Sequence, residues 1–253
     1  MCKQKNTFDF TIITVCFNAA LTIQQTITSV LNQKDISFEY IIIDGVSNDG
    51  TIELVRNIHD DRLVFISEPD NGLYDAMNKG IMMAKGRYIA ILNADDIYTS
   101  SHVLSDVLNC FTENNSDLVS GNLFYFKDNI DNIIRKYPCC DMNLKKEWEN
   151  GKQPPHPSTF VKNNVYKKIG TYITNFKISS DYEFLFRAIY VNGYKHSIIN
   201  KDLVAMRVGG ESTSGFKSMY IGNKEVFLSW KRNGLKPPLR LIPLKLINKL
   251  IIK

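Results

Sequence analysis

Over the first hundred residues, β-branched apolar runs alternate with stretches of helical period, and few folds accept that alternation. Residues 10–17 (FTIITVCF), 38–44 (FEYIIID), 63–67 (LVFIS) and 88–92 (YIAIL) read as short buried strands. Between them, Ile23, Ile27, Val30 and Leu31 fall on one helical face, as do Leu73, Met77, Ile81 and Ala84, and TIELVRNI after Gly50 reads as a short helix. Strands joined by helical crossovers predict a mostly parallel α/β sheet with helices on both faces. Such sheets bind ligands outside the carboxyl ends of their strands.

The second half has a different grammar. Val103, Leu104, Val107, Leu108 and Phe111 make another amphipathic helix. LVSGNLFYF and IIRKY, joined by KDNIDN, read as a hairpin. Residues 139–157 read as loop, because Pro154, Pro155 and Pro157 discourage helix. A strand at STFV, a helix over about 181–191 and two short strands at SIIN and LVAMRV follow.

With 44% hydrophobic and 23% charged residues in 253, the chain is an ordinary globular protein that buries its core without staples. No secretory leader pattern opens it, and no run of about eighteen apolar residues reads as a membrane span. Five cysteines form no CxxC pair and are expected as reduced cytosolic thiols; four histidines lack zinc-site spacing. Net charge is +5, but seven basic residues and no acidic one lie between 226 and 253, so the excess sits in the tail. A nucleic-acid binder would spread it over a reading surface, and no nucleic-acid partner is expected.

Two acidic sites fall at strand ends: Asp44 after the second strand and Asp95–Asp96 in ILNADD after the fourth. Adjacent carboxylates repel, and a hard cation such as Mg²⁺ or Mn²⁺ relieves this with one or two carboxylates plus substrate phosphates. A solvated turn or helix cap accounts for the dipeptide alone; its place at a strand end, level with Asp44, is what supports the metal–phosphate reading. No GxxxxGK[ST] and no GxGxxG appears, so bound nucleotide phosphates would be neutralised by metal, not by a glycine-rich cradle.

IIIDGVSNDGT, SEPDNGLYDAMNKGI and LNADD, in that order, resemble the donor-binding half of family 2 glycosyltransferases, above all bacterial enzymes of O-antigen and capsule synthesis. The resemblance spans about residues 10–215 and implies a GT-A (Rossmann-like) fold, a nucleotide-sugar donor, a divalent metal and inversion at the anomeric carbon. It implies a division into a donor-binding half (about 8–100) and an acceptor half (about 101–215), with 216–253 a helical extension. By this resemblance Thr14, Phe17 and Asn18 line the nucleotide pocket, Asp44 accepts from the pyrimidine, and Asp75, Asn78 and Lys79 border the donor. Asn93 and Asp95 meet the ribose or sugar, and Asp96, with Asp95, holds the metal. Asn93 stands where the family's acidic triplet often begins, which leaves open how many carboxylates touch the ion. Asp181 in KISSDYEFLFR matches the catalytic base; an N-cap role explains the same residue, and Glu183 is the runner-up. His156 in HPSTF and Gly209 and Gly210 in RVGGESTS fall on the acceptor and diphosphate side.

In the tail, Lys245, Lys249 and Lys253 recur among Leu244, Leu246, Ile247, Leu250, Ile251 and Ile252. That pattern fits an amphipathic helix lying on an anionic membrane, or one packed on the protein's own core. The resulting expectation is a UDP-sugar-dependent transferase acting on an undecaprenyl-diphosphate-linked glycan, peripheral on the inner face of the cell membrane. The rivals are a metal-dependent nucleotidyltransferase, against which CFNAALT after the first strand argues, and a membrane-docked nucleotide-sugar binder without catalysis.

Overall fold

Among the described residues, nine strands form one sheet, in the order β3-β2-β1-β4-β8-β6-β9-β5, with β7 paired on β6. In chain order the elements are β1 (Phe8–Cys16), α1 (Ile23–Leu31), β2 (Phe38–Asp44), α2 (Thr51–Arg56), β3 (Leu63–Ser67), α3 (Leu73–Met83), β4 (Gly86–Ile91), β5 (Ile97–Tyr98) and α4 (Val103–Asn114). They continue with β6 (Leu118–Phe126), β7 (Ile133–Tyr137), α5 (Lys145–Glu149), β8 (Thr159–Lys162), α6 (Asn163–Ile169), α7 (Ser180–Phe186), β9 (His196–Arg207), α8 (Gly215–Arg232) and α9 (Leu241–Ile251). The computed structural model describes residues 8–209 and 215–251, with backbone alone for 215, 216 and 249–251.

β3, β2, β1 and β4 run parallel, as their crossovers require. Beyond β4 the sheet is mixed: β8 is antiparallel to both β4 and β6, while β9 returns parallel to β6. The β6–β7 hairpin forms as read. The two strands expected at SIIN and LVAMRV are one, β9; its register against β6 shifts around Asn122, where the intervening Asn200–Lys201 bulges. Part of the expected loop at 139–157 is helical (α5) and ends in a 3-10 turn at His156–Ser158. α7 continues as one π-helical turn, Arg187–Val191.

Two large cores flank the sheet, beside a small cluster of Phe124, Phe126 and Ala205, and the strand period of two decides which residue enters which. Phe10, Ile12, Tyr40, Ile42, Tyr88 and Ala90 pack against α1, α2 and α4. Their neighbours Ile13, Val15, Ile41, Ile43, Ile89 and Ile91 pack on the opposite face with α3 and the helices of the second half. Val226 and Trp230 of α8 and Leu241 of α9 belong to that second core and are buried. The C-terminal helices therefore complete the domain's packing.

Candidate active site

The parallel strands β2, β1 and β4 end side by side, and the motifs that follow them meet at one sheet edge. Most polar groups of DGVSNDGT build the loop itself. Asp44 is buried and accepts from the Ser47 amide at 3.0 Å, the Ser67 hydroxyl at 2.7 Å, the Ser47 hydroxyl and the Cys16 thiol. Asp49 accepts from Thr51 and, at 3.0 Å, from the Ala20 amide. Asn18 accepts from the Asn48 amide at 3.0 Å, and its own amide donates to Ser47 at 2.8 Å. The loops after β1 and β2 are thus laced into one surface.

Several sequence-derived positions take on new meaning here. Thr14 lies beneath the surface, fully buried, its hydroxyl accepting from Tyr40 at 2.9 Å; it does not line an open pocket. Asp44 has both oxygens engaged by its own chain, so it acts as the anchor of the turn. Asn78 ties α3 to Tyr172 by two backbone bonds (2.8 and 3.0 Å), and Lys79 holds the Pro69 carbonyl (2.7 Å) and Glu68 (2.8 Å). Asp75 accepts from the Asn71 amide at 2.9 Å, so Asp75 and Lys79 brace the loop before α3.

Two apolar side chains stand open at this edge, beside the exposed Asn18, Asn48 and Asp49. Phe17 is 64% exposed and Val46 48% exposed. Val46 also holds φ of +64°, which a β-branched residue adopts only under strain, and such strain collects at ligand sites. At Gly45 beside it, a Cβ would come 2.7 Å from the Asp70 carboxylate, which would have to move. Residue spacing does not mark Val46, because its signal is a dihedral angle.

The acidic pair follows β4. Asp96 is fully buried; one oxygen accepts from Asn93 at 2.9 Å and the other, Oδ1, has no partner. Burial and the Asp95 charge push its carboxyl well above the ordinary range, and burial raises Asp95, opposed by Arg207. Arg207, at the end of β9, lies over the Phe126 ring at 4.6 Å and donates to Gln25 at 2.7 Å and to the Lys127 carbonyl at 3.0 Å, while its Nε is buried without a partner. An unpartnered oxygen on a buried acid beside a second acid is costly without a cation. The donor set fits a hard divalent ion. Among the described residues no cluster of three or more metal-ligating side chains exists, so phosphates and water would complete the shell.

Asp181, in the first turn of α7, is half-buried and accepts from the Tyr74 hydroxyl at 3.1 Å. It lines a cavity of about 530 Å³ together with Tyr125, Tyr137, Gln153, His156 and Met206, and with Met219, Asn223 and Leu246 of the C-terminal helices. His156 meets the Tyr172 hydroxyl at 2.9 Å, and burial lowers its pKa against the opposing pull of the Asp181 charge. Glu183 is not poised as a base: it is buried and locked to Arg187 (3.0 Å) and Asn233 (3.2 Å). Gly209 is exposed at φ +117° with open space around it; Gly210 lies outside the described residues.

The family model for glycosyl transferase family 2 matches residues 11–180. The chain belongs to glycosyl transferase family 2. Among curated proteins, this family 2 member is 30% identical over 181 residues to an uncharacterized glycosyltransferase of Mycobacterium tuberculosis, covering 71% of this chain and 68% of that one. It is 27% identical over 207 residues to a PGL/p-HBAD biosynthesis glycosyltransferase of Mycobacterium bovis, covering 75% of each. The fold matches S. aureus TarS in complex with UDP-GlcNAc (TM-score 0.70, 17% identity, 90% of this chain and 68% of that one). It also matches the Pyrobaculum calidifontis mannosyltransferase PcManGT with GDP-Man and Mn²⁺ (TM-score 0.66, 17% identity, 97% and 70%). The glycosyltransferase is therefore of GT-A type, and the nucleotidyltransferase rival falls.

Proposed function

We propose that this family 2 enzyme moves one sugar from a UDP-sugar, with inversion, onto a lipid-linked (undecaprenyl-diphosphate) glycan in surface polysaccharide synthesis, using Mn²⁺ or Mg²⁺. The observation that carries the reading is Asp181, a half-exposed carboxylate on the wall of a cavity of about 530 Å³, a volume suited to a sugar acceptor. Phe17 and Val46 offer the base an apolar platform above the turn that Asp44 anchors, and Asn18 borders it. Asp95 faces the sugar or ribose with Asn93. Asp96 and Asp95 would hold a divalent ion, which would supply charge neutralisation for the departing diphosphate. Asp181 takes the proton of the acceptor hydroxyl as that oxygen attacks the anomeric carbon, and the bond to the diphosphate breaks. His156, held by the Tyr172 hydroxyl on the wall of the same cavity, serves as a hydrogen-bonding partner for the acceptor.

Docking at the inner face of the cell membrane fits the same acceptor. α9 packs on the domain: Leu241 is buried, Lys245 lies over the Tyr182 ring at 5.2 Å, and Asn248 donates to Asn150 at 2.9 Å. The more open surface is the outer side of α8, where Tyr220, Lys224, Phe227 and Lys231 recur at helical spacing and are exposed. Among the described residues, no helix is long and apolar enough to cross a membrane. Flotation with phosphatidylglycerol vesicles, against pure phosphatidylcholine, tests this contact. A loss of binding in Lys224→Glu/Lys231→Glu is expected, and binding of neither vesicle refutes it.

The reaction itself is tested with Asp181→Asn on a panel of UDP-sugars. UDP release should fall about 100-fold or more, with UDP affinity unchanged. Native turnover would remove Asp181 from the mechanism, and absence of any turnover in the parent protein would favour a non-catalytic binder.

A further inference from the structure

Asp181 is the second residue of α7, so its direction is set by the segment before that helix. That segment is gripped from α8. Glu225 is buried and accepts three consecutive backbone amides: Lys177 at 2.7 Å on one oxygen, Ile178 at 2.9 Å and Ser179 at 2.8 Å on the other. The Ser179 hydroxyl donates to the Gly222 carbonyl at 3.1 Å, and a Cβ on Gly222 would stand 3.1 Å from the Ile178 side chain. α8 therefore lies directly against this turn. From the opposite side, Tyr74 of α3 donates to the Ile178 carbonyl at 2.8 Å and reaches Asp181 itself at 3.1 Å.

Three amides converging on one buried carboxylate make a charge-assisted clamp that a neutral side chain cannot reproduce, because an amide NH₂ would face donors. We infer that Glu225 is a positioning residue for the transfer reaction, holding residues 177–179 so that the Asp181 carboxylate faces the acceptor cavity. The inference rests on Asp181 being the base. Glu225 lies outside the residues 11–180 that match the family model, so the C-terminal helices contribute to the chemistry as well as to packing. A misplacement of about 1 Å in a reacting group costs on the order of 100-fold in rate.

The test pairs kinetics with hydrogen exchange in Glu225→Gln and Glu225→Asp. UDP release with water as acceptor is measured on the UDP-sugar turned over fastest, normalised to UDP-binding sites. In Glu225→Gln, kcat per site should fall about 10- to 100-fold with donor KM nearly unchanged. Glu225→Asp, which keeps the charge, should recover part of the loss. Without any substrate, amides of 176–182 should exchange faster in Glu225→Gln while the sheet keeps its protection. Native kcat per site, or unaltered exchange over 176–182, overturns the inference. If the Gln variant does not fold, the same two readings on Glu225→Asp decide. Asp181→Asn runs in parallel: activity there refutes the base, whereas a dead Asp181→Asn beside a fully active Glu225→Gln refutes only the positioning role.

Discussion

At the level of single residues, the site is a set of buried polar groups whose partners define their roles. Asp96 carries the clearest message, a buried acid with one oxygen unpartnered. His196 has a different consequence. Its Nε2 meets Ser120 at 2.9 Å, its Nδ1 is unpartnered, and burial lowers its pKa to about 4. Because the folded value lies below the unfolded one of about 6.5, the unfolded chain binds the extra proton between these values. Stability from this residue is therefore full above about pH 6.5 and is lost as pH falls toward 4. Urea midpoints should show roughly 2 kcal/mol less stability at pH 5 than at pH 7 from this group, and His196→Gln should flatten that slope. Val46→Asn should relieve the left-handed strain and raise stability by roughly 1 kcal/mol while weakening UDP binding. A variant that is no more stable would mean that the strain is absent.

Elements explain why some of this was readable from sequence and some not. The four parallel strands and the helices α1, α3 and α4 were legible because each carries a clean apolar period; Ile23, Ile27 and Val30 are all buried where the spacing put them. The motifs were legible as a cluster because the parallel strands end together. Side-chain roles within them were less so: DGVSNDGT spends Asp44, Ser47, Asp49 and Thr51 on its own turn, a use of hydrogen bonds that spacing does not reveal. The bulged β9 hid as two strands because NKDL breaks its alternation. Tyr74 sat inside a recognised motif, yet its bond to Asp181 crosses 107 positions of sequence. Close packing of α3 on the sheet gives a direct check. A Cβ on Gly80 would stand 2.6 Å from Ile13, so Gly80→Ala should cost about 1–3 kcal/mol in urea unfolding.

For the whole molecule, the C-terminal helices are what the sequence presented least completely. Read as a basic tail, they are structural: Trp230 is buried among Phe186 and Tyr190 and donates to Tyr182 at 3.0 Å. Trp230→Ala should lower unfolding stability by about 3–5 kcal/mol, and a cost under about 1 kcal/mol would mean that α8 is an appendage. In the proposed reading, a sheet edge serves the donor and the cavity walled in part by the C-terminal helices serves the acceptor. That account depends above all on metal-linked nucleotide binding at the acidic pair. Calorimetric titration with UDP and GDP, each with and without Mn²⁺, measures it without any acceptor. The account requires UDP binding that strengthens at least about tenfold with Mn²⁺, exceeds GDP binding, and loses its metal dependence in Asp96→Asn. Binding of neither nucleotide with Mn²⁺ present, or UDP binding indifferent to Asp96→Asn, would contradict it.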